Sequence, residues 1–253
     1  MRWRLCGPPC SPGLAERYVR VSQVRPGRQG RPGRLVLVAG TGTDVGKTWV
    51  SARLLATLRA AGSTVAARKP AQSFDPTDDP AGFDSAVLGA ASGEASETVC
   101  LPSRWYEIAM APPMAADALG RGRLALADLV QELAWPAPPV DVGLVETAGG
   151  VRSPQSHDAD VVTMAGVLAP DIVLLVTDAG LGTLNSVRLS VDALPDFAPV
   201  VVVLNRYDEG NDLHRRNRRW LTEEFGLTVV TMPGGEETLA SLCAGNSRRA
   251  VKQ

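Results

Sequence analysis

Short apolar runs alternate along this chain with longer segments in which apolar residues recur every three or four positions. Such alternation is typical of βαβ units, and it predicts an α/β fold with a mostly parallel sheet flanked by helices on both faces. We expect strands at Leu35–Ala39, Thr64–Arg68, Val142–Glu146, Ile172–Thr177, Val200–Leu204 and Leu227–Thr231. Helices are predicted at Thr48–Ala61, Asp84–Ala91, Leu124–Ala134, Ala159–Leu168, Leu184–Leu194, Asn211–Glu224 and Glu236–Cys243.

The length and composition fit one such domain. The chain has 253 residues, of which 45% are hydrophobic, and its net charge is −1. This balance gives no general indication of a nucleic-acid or membrane partner. Arginine greatly outnumbers lysine among the basic residues. There are twenty-three arginines but only three lysines, at positions 47, 69 and 252. The two internal lysines are therefore expected to do something that arginine cannot.

The first part of the chain differs from the rest. Residues 1–34 hold eight arginines against one acid and are rich in Pro and Gly, so we expect a disordered basic extension before a domain at 35–245 and a short tail at 246–253. A nucleic-acid-binding arm is a minor alternative. The four cysteines are scattered, and neither a secretory signal nor a run of about 20 apolar residues is present. We therefore expect a cytoplasmic protein with reduced thiols.

A glycine-rich turn follows the first predicted strand and leads into the first helix. Residues 40–48 read Gly-Thr-Gly-Thr-Asp-Val-Gly-Lys-Thr. Strand, glycine-rich turn and helix start together predict a phosphate-binding loop, in which backbone N–H groups wrap an anion. Lys47 adds a mobile charge for the terminal phosphates, and the Thr48 hydroxyl can bind Mg²⁺. Gly40 lies one residue earlier than the usual spacing, so the loop is a variant.

Polar residues also follow the other strands at their carboxyl ends, where open parallel sheets bind their ligands. Glu146 ends the third strand and is a candidate Mg²⁺ ligand, and Asp84 is a second one. Lys69, at the end of the second strand, is placed to bind a carboxylate, carbamate or phosphate. Asn205 and Asp208 fit a guanine-reading motif imperfectly, with Arg206 in its lysine position. This leaves guanine specificity as a minor alternative.

The two histidines are not candidate catalytic residues. His157 and His214 lie in polar segments, and we interpret both as solvated rather than catalytic.

Several motifs resemble those of dethiobiotin synthetases, in order over roughly residues 35–240. The loop at 40–48 resembles Gly-Thr-Asp-Thr-x-Val-Gly-Lys-Thr, and Lys69-Pro70 followed by Ser73 resembles Lys-Pro-x-x-Ser. Further matches are Asp84-Ser85-Ala86, the segments at 111–116 and 145–150, and Leu181-Gly182-Thr183-Leu184-Asn185. These motifs occur in the family's order. They therefore support site roles for Asp84 and Lys69 more strongly than the residue types alone do.

The resemblance implies an ATP-dependent ring closure in biotin synthesis. A diamine, 7,8-diaminononanoate, takes up CO₂ as a carbamate, ATP phosphorylates the carbamate, and the neighbouring amine closes a cyclic urea. Lys47, Lys69 and Thr48 would then be catalytic, and Mg²⁺ would be held by Thr48, Asp84 and Glu146. The implied nucleotide-binding residues are Thr43, Asp44, Val45, Gly46, Lys47, Thr48, Asn205 and Pro233. The implied substrate residues are Lys69, Ser73, Pro113, Thr147, Gly149, Gly150 and Asn185. The family resemblance also implies a homodimer with the diamine at its interface.

Three positions depart from the family pattern. Thr147 replaces a glycine, Met114 stands where histidine is common, and Arg152 is expected close to the substrate pocket. The alternatives are therefore a related ligase or kinase acting on a different amine or carboxylate, and an ATPase switch of the partitioning type, which shares the fold.

Overall fold

A computed structural model describes residues 30–194 and 198–245. Its main sheet has six parallel strands: β1 (Arg34–Gly40), β2 (Val65–Arg68), β5 (Val142–Gly150), β8 (Ile172–Asp178), β9 (Val200–Asn205) and β10 (Thr228–Thr231). Their spatial order is β10-β9-β8-β1-β5-β2. Two short pairs complete the strands: β3 (Gln72–Ser73) runs parallel to β4 (Trp105–Tyr106), and β6 (Pro154–Ser156) runs antiparallel to β7 (Ala159–Asp160).

Helices cover both faces of the main sheet. They are α1 (Lys47–Ala60), α2 (Asp84–Ser92), α3 (Ser96–Val99), α4 (Pro112–Ala118), α5 (Leu126–Gln131), α6 (Val161–Leu168), α7 (Thr183–Ala193), α8 (Asp212–Arg219) and α9 (Glu236–Ala244). A π-helical turn extends α8 over Trp220–Glu224, and 3₁₀ turns occupy Pro80–Gly82 and Pro102–Arg104.

The strand pleat divides the core into two layers. Val36 and Val38 of β1 pack in one buried cluster with α1, α2 and α9, whereas Leu35 and Leu37 pack in the other with α5, α6 and α7. Successive side chains of a strand point to opposite faces, so an uninterrupted apolar run serves both layers. The predicted α/β architecture is therefore confirmed, and the ends of the six main strands lie within four residues of the predicted ones.

The differences concern short elements. The helix predicted at 124–134 is limited to α5, and α6 begins at Val161 because Ala159 and Asp160 pair with β6. Asp160 caps α6 instead, since its Oδ1 accepts the Thr163 N–H at 2.8 Å. The two small strand pairs, α3 and α4 were not predicted, because segments of two to seven residues show no clear periodicity.

The domain begins earlier than the predicted boundary at Leu35. The Gly33 N–H donates to the Val140 carbonyl at 2.9 Å, and the Arg31 guanidinium donates to the Ala169 carbonyl at 2.6 Å. Residues 1–29 and 246–253, including Cys6 and Cys10, lie outside the described residues. Within the described part, no helix has the length and apolar character needed to cross a membrane.

Leu54 offers a test of this packing. It lies on α1 and is fully buried against the sheet. We expect Leu54→Ala to lower the free energy of unfolding by about 2–5 kcal/mol, because transfer free energy is lost and a cavity is left. Leu213→Ala is the matched control, since Leu213 is 38% exposed; it should cost under about 1 kcal/mol. Urea denaturation measures both changes, and equal costs would contradict the assigned core.

Candidate nucleotide and substrate site

The glycines of the phosphate loop are required by its geometry. Gly46 has φ +88°, and a Cβ there would lie 2.1 Å from the Asn205 Nδ2 atom. A Cβ on Gly40 would lie 2.8 Å from the Gly42 carbonyl oxygen and 3.1 Å from the Lys47 Cδ atom. The early glycine therefore makes room for the lysine stem to fold back across the loop.

Lys47 is held in this folded-back position. Its Nζ atom donates to the Gly42 carbonyl at 3.1 Å, the only hydrogen bond found for this ammonium among the described residues. Burial and the positive charge of Lys69 lower the pKa of Lys47, although the acids nearby act in the opposite direction. An ammonium that is buried and poorly neutralised has a strong electrostatic preference for an incoming anion.

A compact polar cluster lies next to the loop, at the ends of β2 and β5. Lys69 Nζ is 2.6 Å from Asp84 Oδ2 and 2.9 Å from Glu146 Oε1. Thr48 Oγ1 is 2.6 Å from Asp84 Oδ1 and 2.8 Å from Glu146 Oε1. Ser51, one helical turn after Thr48, donates to Glu146 Oε2 at 2.7 Å. The cluster joins four separate parts of the sequence.

The charges within this cluster stabilise one another. Burial alone would lower the pKa of Lys69, but the charges and hydrogen bonds of Asp84 and Glu146 outweigh burial and raise it above its usual value. Burial would raise the pKa of Asp84, but Lys69 and the Thr48 hydroxyl bring it below its usual value. Glu146 is completely buried, so its carboxylate depends on these partners.

The oxygen atoms of this cluster fit a hard divalent cation. The Thr48 hydroxyl carries a single proton but faces two carboxylate oxygens, so it can donate to only one of them. A cation between the three oxygens would satisfy all of them. Among residues 30–194 and 198–245, no three His, Cys, Asp or Glu side chains are grouped closely enough to hold a metal. The set of two carboxylates and a hydroxyl suits Mg²⁺, which keeps waters and takes phosphate oxygens as further ligands.

A cleft of about 910 Å³ opens above the cluster. It lies at the carboxyl ends of the strands, as expected for an open parallel sheet. Several residues predicted from the sequence line it together: Thr43, Asp44, Gly46, Lys47, Thr48, Lys69, Ser73, Asp84 and Gly149.

Other predicted residues lie outside the cleft lining. Val45 and Gly150 belong to its supporting backbone, Pro113 is buried in α4, and Asn205 is buried behind the loop, where its Nδ2 donates to the Val45 carbonyl at 3.0 Å. Pro233 is exposed after β10, and Asn185 is exposed on α7.

The three departures from the family pattern lie outside the lining of the cleft. Thr147 is fully buried, and its hydroxyl donates to the Val38 carbonyl at 3.1 Å, so its side chain faces the sheet rather than a substrate. Arg152 forms an ion pair with Asp160 at 2.9 Å, with 62% of its side chain exposed, and does not line the cleft. Arg152 is thus held at the surface, although its neighbour Ser153 lines the cleft. Met114 is 57% exposed and also lies outside the lining.

The residues of the guanine-like motif support the phosphate loop instead. Arg206 donates to the Asp44 carbonyl at 2.7 Å and pairs with Asp178 at 3.0 Å. Asp208 closes its own turn by accepting the Gly210 N–H at 2.9 Å. Asn205 faces the loop backbone. Each of the three side chains thus has a partner in the protein itself.

The histidines are structural rather than solvated. His157 Nδ1 accepts the Leu124 N–H at 2.9 Å, its Nε2 lies 2.9 Å from Asp117, and only 15% of its side chain is exposed. His214 lies in α8, and its Nδ1 accepts the Asp208 N–H at 3.1 Å.

Some residues of the site were not anticipated from the sequence. They are Ser51, Gln72 and Ser153. For Ser51 a signal existed, since it lies three residues after Thr48 and therefore on the same helix face. Ser153 lines the cleft because its hydroxyl accepts the Gly150 N–H at 2.8 Å, which draws the turn inward.

Comparison with known proteins identifies the family. A family model described as an AAA domain matches residues 34–232. The ATP-dependent dethiobiotin synthetase BioD of Haloferax mediterranei is 36% identical over 214 residues, covering 81% of this chain and 88% of that protein. The protein of the same name from Caulobacter sp. (strain K31) is 34% identical over 221 residues, covering 85% and 95%.

Among solved structures, a plasmid partition protein from Borrelia burgdorferi shares the fold. Its TM-score is 0.52 at 15% sequence identity, over 85% of this chain and 99% of that one. At this identity the likeness concerns the P-loop NTPase architecture alone. The resemblance of the loop at 40–48 and of the Lys69 and Glu146 segments is thus matched by 34–36% identity to named enzymes over 81–85% of the chain. The chain belongs to the dethiobiotin synthetase family.

Proposed function

We propose that this protein is an ATP-dependent cyclo-ligase that converts 7,8-diaminononanoate and CO₂ into dethiobiotin. One amine takes up CO₂ as a carbamate, the γ-phosphoryl group of ATP passes to the carbamate oxygen, and the second amine attacks the carbonyl carbon and releases phosphate. The observation that carries this proposal is the convergence of Thr48, Lys69, Asp84 and Glu146 beside the phosphate loop. A phosphate site and an anion site in one cleft are what this reaction requires.

The nucleotide half of the reaction is assigned to the loop. Its backbone N–H groups and Lys47 would bind the phosphates and stabilise negative charge on the phosphoryl group in transfer. Thr43, Asp44, Gly46 and Thr48 line the same part of the cleft. Thr48, Asp84 and Glu146 would hold Mg²⁺, which neutralises phosphate charge when bound.

The acceptor half is assigned to the end of β2. Lys69 is 3% exposed and lies on the cleft floor between two carboxylates. Its ammonium would bind the carbamate and hold it in line with the γ-phosphoryl group, and positioning of this kind supplies much of the rate in phosphoryl transfer. Ser73 and Gly149 line the cleft on this side, next to Pro113 and Gly150 in its supporting layer.

We also propose that the enzyme is a homodimer. Asn185 lies outside the cleft of its own chain but on α7, where two apolar side chains are exposed: Leu181, 93% exposed just before the helix, and Leu189, 64% exposed. Exposed apolar side chains near one another are typical of an interaction surface. The homodimer and the cytoplasmic location stay predictions. Light scattering of Leu189→Glu, compared with the unaltered protein, tests whether a homodimer forms.

The activity is tested by supplying ATP, Mg²⁺, bicarbonate and the diamine and measuring ADP together with the cyclic urea by mass spectrometry. We expect one ADP for each cyclic urea. ATP turnover that does not depend on the diamine would contradict the proposal and favour a different amine or carboxylate. Dimerisation driven by ATP, without any small substrate, would instead favour a switch of the partitioning type.

A further inference from the structure

Gln72 lies between Lys69 and Ser73 but has no role in the reaction described so far. It belongs to β3, opposite Trp105 of β4, and is 3% exposed. Its side-chain oxygen Oε1 accepts the Ser85 N–H at 3.0 Å. Ser85 directly follows Asp84 at the start of α2, so this bond connects β3 to the element that carries a proposed metal ligand.

The other end of the Gln72 amide has no partner. The bond from the Ser85 N–H requires an acceptor, which fixes the oxygen on that side and leaves the Nε2 group facing elsewhere. Nε2 is buried and forms no hydrogen bond within the described residues. A buried donor without an acceptor is costly, and such a group in a native protein calls for a ligand or a water.

Gln72 adjoins the acceptor half of the site. Gln72 lines the main cleft and also a side pocket of about 310 Å³ formed by residues between positions 72 and 84. The lining of the side pocket includes no residue of the phosphate loop. The neighbouring Ser73 Oγ is likewise buried without a partner, and Lys69 lines the same cleft. A ligand at this end therefore meets an amide, a hydroxyl and an ammonium.

Hydrogen-bond donors of this kind favour a ligand that offers acceptor atoms. An ammonium or a protonated amine offers only N–H donors and cannot accept from Nε2. A carbamate offers two oxygens with several lone pairs and a negative charge. We propose that Gln72 Nε2 donates a hydrogen bond to a carbamate oxygen of the bound substrate, with Ser85 holding the amide in that orientation. Gln72 thereby distinguishes the carboxylated nitrogen from an amine that is still protonated. This inference rests on the proposed function.

Gln72→Glu tests the donor while keeping the rest of the contact. Glutamate retains the shape and an oxygen for the Ser85 N–H but offers no Nε2–H. We expect kcat/KM for the diamine to fall by about tenfold to a hundredfold, as for loss of a hydrogen bond to a charged group. The Kd for ATP should stay that of the unaltered protein. A merely structural Gln72 would leave kcat/KM unchanged, and that result would overturn the inference.

A second variant separates the missing donor from the added charge. Gln72→Met is neutral and of similar length, and we expect it to lose diamine affinity in the presence of bicarbonate as well. Loss in Gln72→Glu alone would show charge repulsion and overturn the inference.

A direct measurement does not depend on how Gln72→Met folds. The ¹⁵N side-chain resonance of Gln72 should shift when diamine and bicarbonate are added together, and not with ATP alone; an unmoved resonance counts against the inference. If the unaltered protein binds and turns over the diamine while the Gln72 resonance does not shift, only this inference fails. If the unaltered protein does not bind the diamine at all, the proposed function fails with it.

Discussion

Lys69→Met is expected to lower kcat by about a hundredfold to a thousandfold while ATP still binds, the range found when one preorganised charge-stabilising donor is removed. The ammonium lies at the end of β2, apart from the loop that wraps the phosphates. Methionine matches the length of the stem and removes only the charge and its donors. Steady-state kinetics and ATP titration measure the two effects separately. Unchanged turnover would contradict the assignment of the carbamate to Lys69.

The same variant makes a prediction about stability and metal. Without the ammonium, Asp84 and Glu146 are left unpaired, and breaking a buried ion pair from one side costs about 3–5 kcal/mol. Mg²⁺ would supply the missing positive charge, so we expect it to raise the Tm of Lys69→Met more than that of the unaltered protein.

Arg68→Met is the matched control for this stability effect. Arg68 precedes Lys69 on β2, is equally buried, and pairs with Glu94 at 2.8 Å. Its loss should also destabilise the fold, but Mg²⁺ should not compensate, because Glu94 lies outside the proposed metal ligands. An equal response to Mg²⁺ in the two variants would contradict the metal position at Thr48, Asp84 and Glu146.

The convergence of this site could be predicted from the sequence because of one property of parallel sheets. β1, β2 and β5 are neighbours and run in the same direction, so their carboxyl ends share an edge. Residues that follow these strands must then meet, however far apart they lie in the sequence. Lys47, Lys69 and Glu146 meet for this reason, and Asp84 joins them because α2 begins beside the same edge.

The direction of single side chains could not be predicted in the same way. Thr147 was expected at the substrate, but β5 continues to Gly150, and the pleat turns the Thr147 side chain into the sheet. Gln72 lies in a strand of two residues, too short for any periodicity to show which way it faces. The direction of Arg152 depends on the turn between β5 and β6 and on its pairing with Asp160.

Lys47→Ala is expected to lower ATP-dependent turnover by about a thousandfold, since charge stabilisation of the transferred phosphoryl group is among the largest contributions to such reactions. Lys47→Arg should not restore it. The loop encloses the lysine stem so closely that Cδ approaches Gly40, and a planar guanidinium differs from an ammonium in size and donor geometry. Arg53→Ala on the same helix is the control, because Arg53 is exposed, pairs with Glu236 at 3.2 Å and does not line the cleft.

Stability distinguishes the two lysines. Lys47 makes a hydrogen bond to a carbonyl, and its repulsion by Lys69 is opposed by attraction to Glu146, Asp84 and Asp44, so its removal changes interactions of opposite sign. We expect Lys47→Ala to change the free energy of unfolding by under about 1 kcal/mol, with no special response of its Tm to Mg²⁺. A large loss of stability in Lys47→Ala would show that Lys47, and not Lys69, neutralises the buried carboxylates. The phosphoryl and carbamate roles of the two lysines would then have to be exchanged.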